Sequence, residues 1–186
     1  MVCILITNVD YEVIDNFLPE AEFSVLQETL LSHTFPWFYT KFINKHQTAW
    51  RYGLEETKDV VSADDACYPV EFARGWFHHF SPGDMFYNLI TSLIDKLDVD
   101  RLIRVKANMY PSSENIIEHG RHCDQPEKHY GALLSINTCN GYTILSDGTR
   151  LPSVANRCLI FDSSRPHSST TCTDDRVRVN INVNYI

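Results

Sequence analysis

The chain ends in "RVRVNINVNYI", residues 176–186, a run in which polar and apolar side chains alternate without interruption as far as Tyr185. Successive side chains of an extended strand point to opposite faces. Arg176, Arg178, Asn180, Asn182 and Asn184 therefore share one face, and Val177, Val179, Ile181, Val183 and Tyr185 the other. Asparagine is a poor strand former, so three at alternate positions are better explained as the lining of a polar pocket than as a wetted outer surface. "RLIRVKANMYP" (101–111) repeats the pattern, with Arg104, Lys106, Asn108 and Tyr110 opposite Val105, Ala107 and Met109. Between these two runs lie "YGALLSIN", "GYTILSDG" and "RCLIFDSS", each a few apolar residues bounded by Gly, Asn, Asp or Ser. Many short strands at even spacing imply a sandwich or barrel.

The first half reads differently. In "NFLPEAEFSVLQETLLSH", Pro19 followed by Glu20 and Glu22 suits a helix start, and Phe23, Leu26 and Leu30 recur at helical spacing. "SPGDMFYNLITSLIDKLDV" predicts a second helix, with Ser81 as N-cap, Pro82 in the first turn, and Phe86, Leu89, Ile90, Leu93, Ile94 and Leu97 as its apolar stripe. The opening "MVCILITNVDYEV" reads as a first strand, having neither a basic leader nor a small-residue cleavage site. The aromatic-rich stretches "FPWFYTKFINKHQTAWRYG" and "FARGWFHHF" are not assigned; Trp50, Arg51 and Tyr52 suit either a substrate-facing loop or the core. With 186 residues and no linker-like composition, one domain spanning 1–186 is expected. About 1–99 would supply helical support and early strands, and about 100–186 the β core.

Composition narrows the function classes. A net charge of −8 and an isoelectric point near 5.4, without a Lys/Arg run, argue against nucleic-acid binding. No apolar stretch approaches the ~20 residues needed to cross a bilayer, so no membrane role and a cytoplasmic location are expected. The six cysteines (Cys3, Cys67, Cys123, Cys139, Cys158, Cys172) contain no CxxC pair and read as reduced thiols, mostly packing residues.

The chemistry concentrates in "EHGRHCDQPEKHYG" (118–131). In an extended segment His122 and Asp124 lie on the same side while Cys123 points away, so both can offer donors to one ion. His167, in the loop after "RCLIFD", lies 43 positions beyond Asp124, enough chain for strands to return to the same end of a barrel. Two histidines and one carboxylate on one octahedral face, with the other positions open, suit a non-haem Fe(II) oxygenase. His119 and His129 are left outside this set, and His78 and His79, after Trp76 and Phe77, read as packing residues.

"HCD", "RCLIFDSSRPHSS" and "RVRVNINVNYI" together resemble the His-x-Asp…His…Arg signature of the 2-oxoglutarate/Fe(II)-dependent dioxygenases, in particular the prolyl-4-hydroxylase-like branch and its small phage and bacterial relatives. "DNFLPEAEFSVLQETL" is similar to the leading helix of that branch, and "NGYTILSDGT" to its Gly-Gly segment with Asn140 in place of one glycine. The resemblance implies an α+β, mainly β fold: a double-stranded β-helix, or jelly roll, with supporting N-terminal helices. It also implies Fe(II) on His122, Asp124 and His167, O2 and 2-oxoglutarate as cosubstrates, and ascorbate as a supporting reductant. The expected reaction is hydroxylation with release of succinate and CO2, on a protein, peptide or small-molecule substrate, a peptidyl prolyl residue being the family's suggestion. A basic residue nine to eleven positions after the distal histidine holds the cosubstrate in the family; Arg176 and Arg178 both qualify, and "RVNINVNY" favours Arg178. Tyr110 resembles the family tyrosine that hydrogen-bonds the keto acid, with Asn108 and Asn180 as neighbours on the same faces. Two other readings stay open: a cupin-like metalloenzyme indifferent to 2-oxoglutarate, and a noncatalytic binding domain. A monomer or a dimer is expected.

Overall fold

The computed structural model describes residues 11–40 and 75–186. Trp50, Arg51, Tyr52, Cys3, Cys67 and most of the expected first strand lie outside them. What remains of that strand is β1 (Tyr11–Ile14). It is followed by α1 (Glu20–Leu30), β2 (Phe38–Thr40), β3 (Gly75–Phe80), a 3-10 turn (Tyr87–Ile90) and α2 (Thr91–Leu97). The second half supplies β4 (Leu102–Pro111), β5 (Tyr130–Ser135), β6 (Cys139–Ile144), β7 (Arg150–Ser153), β8 (Cys158–Asp162), β9 (Ser168–Ser169) and β10 (Val177–Tyr185). They form a seven-stranded sheet in the order β1-β8-β5-β10-β4-β3-β2 and a smaller sheet β7-β6-β9. All pairings are antiparallel.

The alternation in β4 and β10 is what organises the layers. Val105, Ala107, Val179, Ile181 and Val183 are buried in one core with Phe23, Leu26 and Leu30 of α1 and Leu93 and Leu97 of α2. The helices thus cover the apolar face of the large sheet, as expected. The opposite face is buried too: Arg178, Asn180, Asn182 and Asn184 are each at most 8% exposed. Cross-strand register pairs these polar residues with one another, Arg178 with Tyr110, Asn180 with Asn108, Asn182 with Lys106 and Asn184 with Arg104. A polar strand face shut away from bulk water must have its groups satisfied by one another or by something bound.

Local chemistry explains the helices. Pro19 stands at the N-cap of α1, with Glu20 and Glu22 favourably placed in its first turn. The segment before it is docked by Asn156, whose amide accepts from the Leu18 backbone N–H and donates to the Leu18 carbonyl, 2.8 Å in each case. The second helix departs from expectation. Ser81 and Pro82 do not start it: Gly83 takes a positive φ of 96°, and regular α-helix begins only at Thr91. Asp84 accepts from the Phe86 backbone N–H at 2.7 Å and contacts His78 Nε2 at 2.9 Å, so this carboxylate holds a turn against β3. His78 is itself buried among Phe35, Phe80 and Phe86, in keeping with a packing role.

Leu93 is fully buried under the sheet. Leu93→Ala removes that packing and leaves a cavity, which should cost about 2–5 kcal/mol. The check is the denaturant midpoint at unchanged slope.

Candidate metal centre

His122 and His167 sit opposite each other in adjacent backbone segments that extend the small sheet. Each backbone N–H donates to the other's carbonyl at 2.9 Å. Their rings are therefore neighbours, 4.5 Å between centroids. Asp124 follows one extended step after His122, and its backbone N–H donates to the Ser163 carbonyl at 3.1 Å. The carboxylate lies between the rings: Oδ1 is 3.8 Å from His122 Nε2, and Oδ2 is 4.0 Å from His167 Nε2. One donor atom from each of the three residues falls within 4.8 Å of the others.

The surroundings orient these donors. His122 Nδ1 is 3.2 Å from the Gly120 carbonyl and His167 Nδ1 is 3.0 Å from the Arg165 carbonyl. A carbonyl only accepts, so both Nδ1 atoms carry a proton and both Nε2 atoms are left facing the cluster, as metal-binding imidazoles require. Burial, with His167 second, pulls the His122 pKa down to about 4, keeping the ring neutral near pH 7. Asp124 is fixed by three side chains. Arg104 donates to Oδ1 at 3.0 Å, and Asn182 and Asn184 each donate to Oδ2 at 2.8 Å. Burial alone would raise its pKa; Arg104, then the two histidines, outweigh this and hold the acid well below the ordinary carboxylate range. Two imidazoles with both Nε2 atoms aimed inward, beside a charged carboxylate, fit a divalent first-row ion.

The second half of the site is Arg178, 1% exposed. Its Nη1 donates to the Thr170 carbonyl at 3.1 Å and its Nη2 to Thr143 Oγ1 at 2.9 Å, while its buried Nε has no hydrogen-bond partner among the described residues. A guanidinium has five N–H donors, and these two bonds leave three of them unspent. No carboxylate forms an ion pair with it among the described residues. A buried cation with free donors and no counter-charge is a seat for an anion. Tyr110, its cross-strand neighbour, is 7% exposed. Burial raises the Tyr110 pKa despite a hydrogen bond with Ser169 and the nearby Arg178 charge, so the phenol stays a donor.

Gly141 makes room for this arginine. A Cβ there would lie 2.7 Å from Arg178 Cδ and 2.8 Å from the Thr171 carbonyl oxygen. Gly141→Ala should therefore displace the Arg178 stem, cost about 1–3 kcal/mol by overpacking, and weaken anion binding in parallel. Thermal melting and an anion titration on the same samples check both effects.

The remaining residues singled out by sequence are placed as follows. Asn108 donates to Asn180 Oδ1 at 3.0 Å, so the two bridge β4 and β10 beside the Arg178 and Tyr110 pair. Arg176 precedes β10, its side chain exposed where an interior position was expected, because ladder pairing begins only at Val177 opposite Pro111. His129 has both ring nitrogens engaged, Nδ1 with the Glu127 carbonyl at 2.6 Å and Nε2 with Ser163 Oγ at 2.7 Å. His119, left outside the metal set in the sequence, is placed by the fold beside Tyr110. It is 3% exposed, its ring is 4.8 Å from that of Tyr110, and its Nδ1 meets Ser169 Oγ at 2.7 Å while Nε2 has no partner among the described residues. Burial, then Arg178 and His122, lower its pKa to about 3. Arg104, the principal counter-charge of Asp124, was likewise invisible as such in sequence.

No protein-family model and no curated protein sequence matches the chain. Solved structures do. A viral collagen prolyl hydroxylase from Paramecium bursaria Chlorella virus-1, in complex with 2-oxoglutarate, aligns over 96% of this chain and 98% of its own at TM-score 0.58 and 13% identity. A prolyl hydroxylase from Trichoplax adhaerens, bound to a hypoxia-inducible-factor peptide fragment, aligns over 95% and 83% at TM-score 0.60 and 17% identity. The fold is that of the prolyl-hydroxylase-like 2-oxoglutarate oxygenases. It is a jelly roll with helices on the large sheet. A third similar structure, the α-ketoglutarate-dependent epimerase SnoN from nogalamycin biosynthesis, covers 95% of this chain and 76% of its own at TM-score 0.60 and 12% identity. The prolyl-hydroxylase-like fold thus extends to proteins described by different reactions. Among the described residues no helix is long and apolar enough to cross a membrane.

Proposed function

We propose that this chain is a single-domain Fe(II)- and 2-oxoglutarate-dependent oxygenase that hydroxylates a bound substrate, a prolyl residue in a peptide being the first to try. One observation carries the reading. The polar face of β4 and β10 holds, side by side, a fixed carboxylate facing two imidazole Nε2 atoms and a buried arginine with unspent donors and no counter-ion among the described residues. A metal alone would not call for that arginine, and an anion alone would not call for the His–Asp–His cluster.

In this reading His122, Asp124 and His167 hold the iron. Arg178 grips the distal carboxylate of the keto acid, with Tyr110 donating beside it and Asn108 and Asn180 bracing the strand pair. Fe(II), 2-oxoglutarate and O2, when bound, supply oxidative decarboxylation to succinate and CO2 coupled to oxygen insertion into a substrate C–H bond. The protein's own part is geometric. Arg104, Asn182 and Asn184 keep Asp124 charged and oriented, while the buried strand faces keep bulk water from the reacting groups. Asn182 Oδ1 and His119 Nε2, buried without partners among the described residues, are further points that a ligand would satisfy. The peptide in the Trichoplax structure makes a peptidyl substrate the natural first trial. A cytoplasmic location and support by ascorbate complete the proposal.

The test is CO2 release from 1-labelled 2-oxoglutarate under air, with and without proline-rich peptides. Iron-dependent release that rises with a peptide, and is lost in His167→Ala, supports the reading. Iron binding with an inert keto acid would favour a cupin-like metalloenzyme instead. Neither iron nor keto acid bound would leave a noncatalytic binding domain.

A further inference from the structure

Four cysteines are described, and two of them, Cys139 and Cys172, converge in a way their sequence spacing hides. Cys139 opens β6, and Cys172 lies in the segment between β9 and β10, followed two residues later by Asp174. The two sulfurs and a carboxylate oxygen of Asp174 all lie within 4.8 Å of one another. Cys172 is fully buried and Cys139 is 6% exposed, whereas Asp174 is exposed. None of the three belongs to the His–Asp–His cluster.

The cluster is held by a dense local network. The Asn140 backbone N–H donates to both Asp174 carboxylate oxygens, at 2.8 and 3.0 Å. Asn140 Nδ2 donates to Thr173 Oγ1 at 2.7 Å, and the Thr173 backbone N–H returns a bond to Asn140 Oδ1 at 2.9 Å. Cys172 Sγ donates to the Asp175 carbonyl at 3.6 Å. Two segments distant in sequence are thus locked in register with their donors gathered on one side. From the residues and this geometry we infer that Cys139, Cys172 and Asp174 form a second metal site, taking one thiophilic divalent ion such as Zn(II), with solvent in the fourth position.

The donor chemistry supports it. Two sulfurs and one carboxylate select a borderline-soft ion, whereas the His–Asp–His set suits iron. A divalent ion takes up such a set by displacing the thiol protons, as metal sites do. The filled site, two thiolates and a carboxylate around a divalent ion, carries one net negative charge. Its role follows from position. The ion ties the start of β6 to the segment before β10, and the Arg178 stem passes between Gly141 and the Thr170–Thr171 backbone of those same segments. The second site braces the arginine without touching the His–Asp–His cluster. It stands independently of the oxygenase reading.

Cadmium is the probe, because its thiolate charge-transfer absorption is not produced by histidine or carboxylate ligands. The full chain, kept reduced, is titrated as wild type, His167→Ala, Cys139→Ser, Cys172→Ser and Asp174→Asn. Expected is a thiolate-to-cadmium band saturating at one equivalent in wild type and in His167→Ala, and absent from both serine variants. Asp174→Asn should bind about tenfold more weakly or worse, and zinc should raise the melting temperature of His167→Ala. No thiolate band in the wild type, or a band that survives both serine variants, overturns the proposal. Should the buried serine variants fail to fold, wild-type affinity in the exposed Asp174→Asn variant would equally overturn the three-donor site.

Discussion

Asp124→Ala should abolish iron binding at micromolar metal and lower turnover to background, the largest effect expected of any single substitution here. Its carboxylate is the sole anionic donor of the His–Asp–His cluster, and it is held by Arg104, Asn182 and Asn184 at 2.8–3.0 Å. Removing it leaves the two imidazoles as the remaining donors of the set and strips the Arg104 guanidinium of its counter-charge. The second consequence bears on stability. Breaking a buried ion pair by removing one partner costs about 3–5 kcal/mol when both ends are dry; with the Arg104 side chain 18% exposed, the smaller end of that range applies. Asp124→Asn keeps the shape and some hydrogen bonding, so it should melt higher than Asp124→Ala while still failing to hold iron tightly. Equilibrium dialysis of Fe(II) with a melting curve on each variant separates the two effects. An Asp124→Ala protein that kept full iron affinity and full turnover would show the cluster to be misassigned.

The second large effect is at Arg178. Arg178→Ala should bind Fe(II) as the wild type does and lose 2-oxoglutarate affinity by on the order of a hundredfold. The estimate is about 3 kcal/mol for two charge-assisted hydrogen bonds to a carboxylate. The fold should lose stability to the cavity and to the Thr170 carbonyl and Thr143 hydroxyl left without their donor, offset in part by removing a buried cation with no protein carboxylate paired to it among the described residues. Arg178→Lys keeps a charge but loses the planar fork, so it should recover only part of the affinity. Arg176→Ala, altering an exposed residue before the strand, should change neither constant. Isothermal titration with the keto acid under anaerobic conditions reads all three.

Much of this architecture was legible in the alternation of β4 and β10, because period-two patterning is imposed by strand geometry itself. That the face bearing Arg178 and the three asparagines would be buried followed from the poor fit of asparagine to an exposed strand. Which residue meets which did not follow. Arg104 reaches Asp124 from a strand 20 positions earlier, and only the register between β4 and β10 places Arg104 opposite Asn184 and beside that carboxylate. Nothing local to His119 shows its partner; the segment 118–122 pairing with 167–170 is what turns it toward Tyr110. The late start of α2 has a similar origin. Ser81, Pro82 and Asp84 spell a helix cap locally, but Asp84 is drawn into contact with His78 of β3, a partner no local rule shows. Cys139 and Cys172, 33 positions apart, likewise meet only through the fold.

In the proposed function one face of the sheet seats a divalent iron and a keto acid together. The most direct test is anaerobic addition of Fe(II) and then 2-oxoglutarate to the wild type, Arg178→Ala and His167→Ala, following the weak visible charge-transfer band of a keto acid chelated to iron. The band should appear in the wild type, require far more keto acid in Arg178→Ala, and be absent in His167→Ala. An iron-loaded wild type that gave no band at any keto-acid concentration would contradict it.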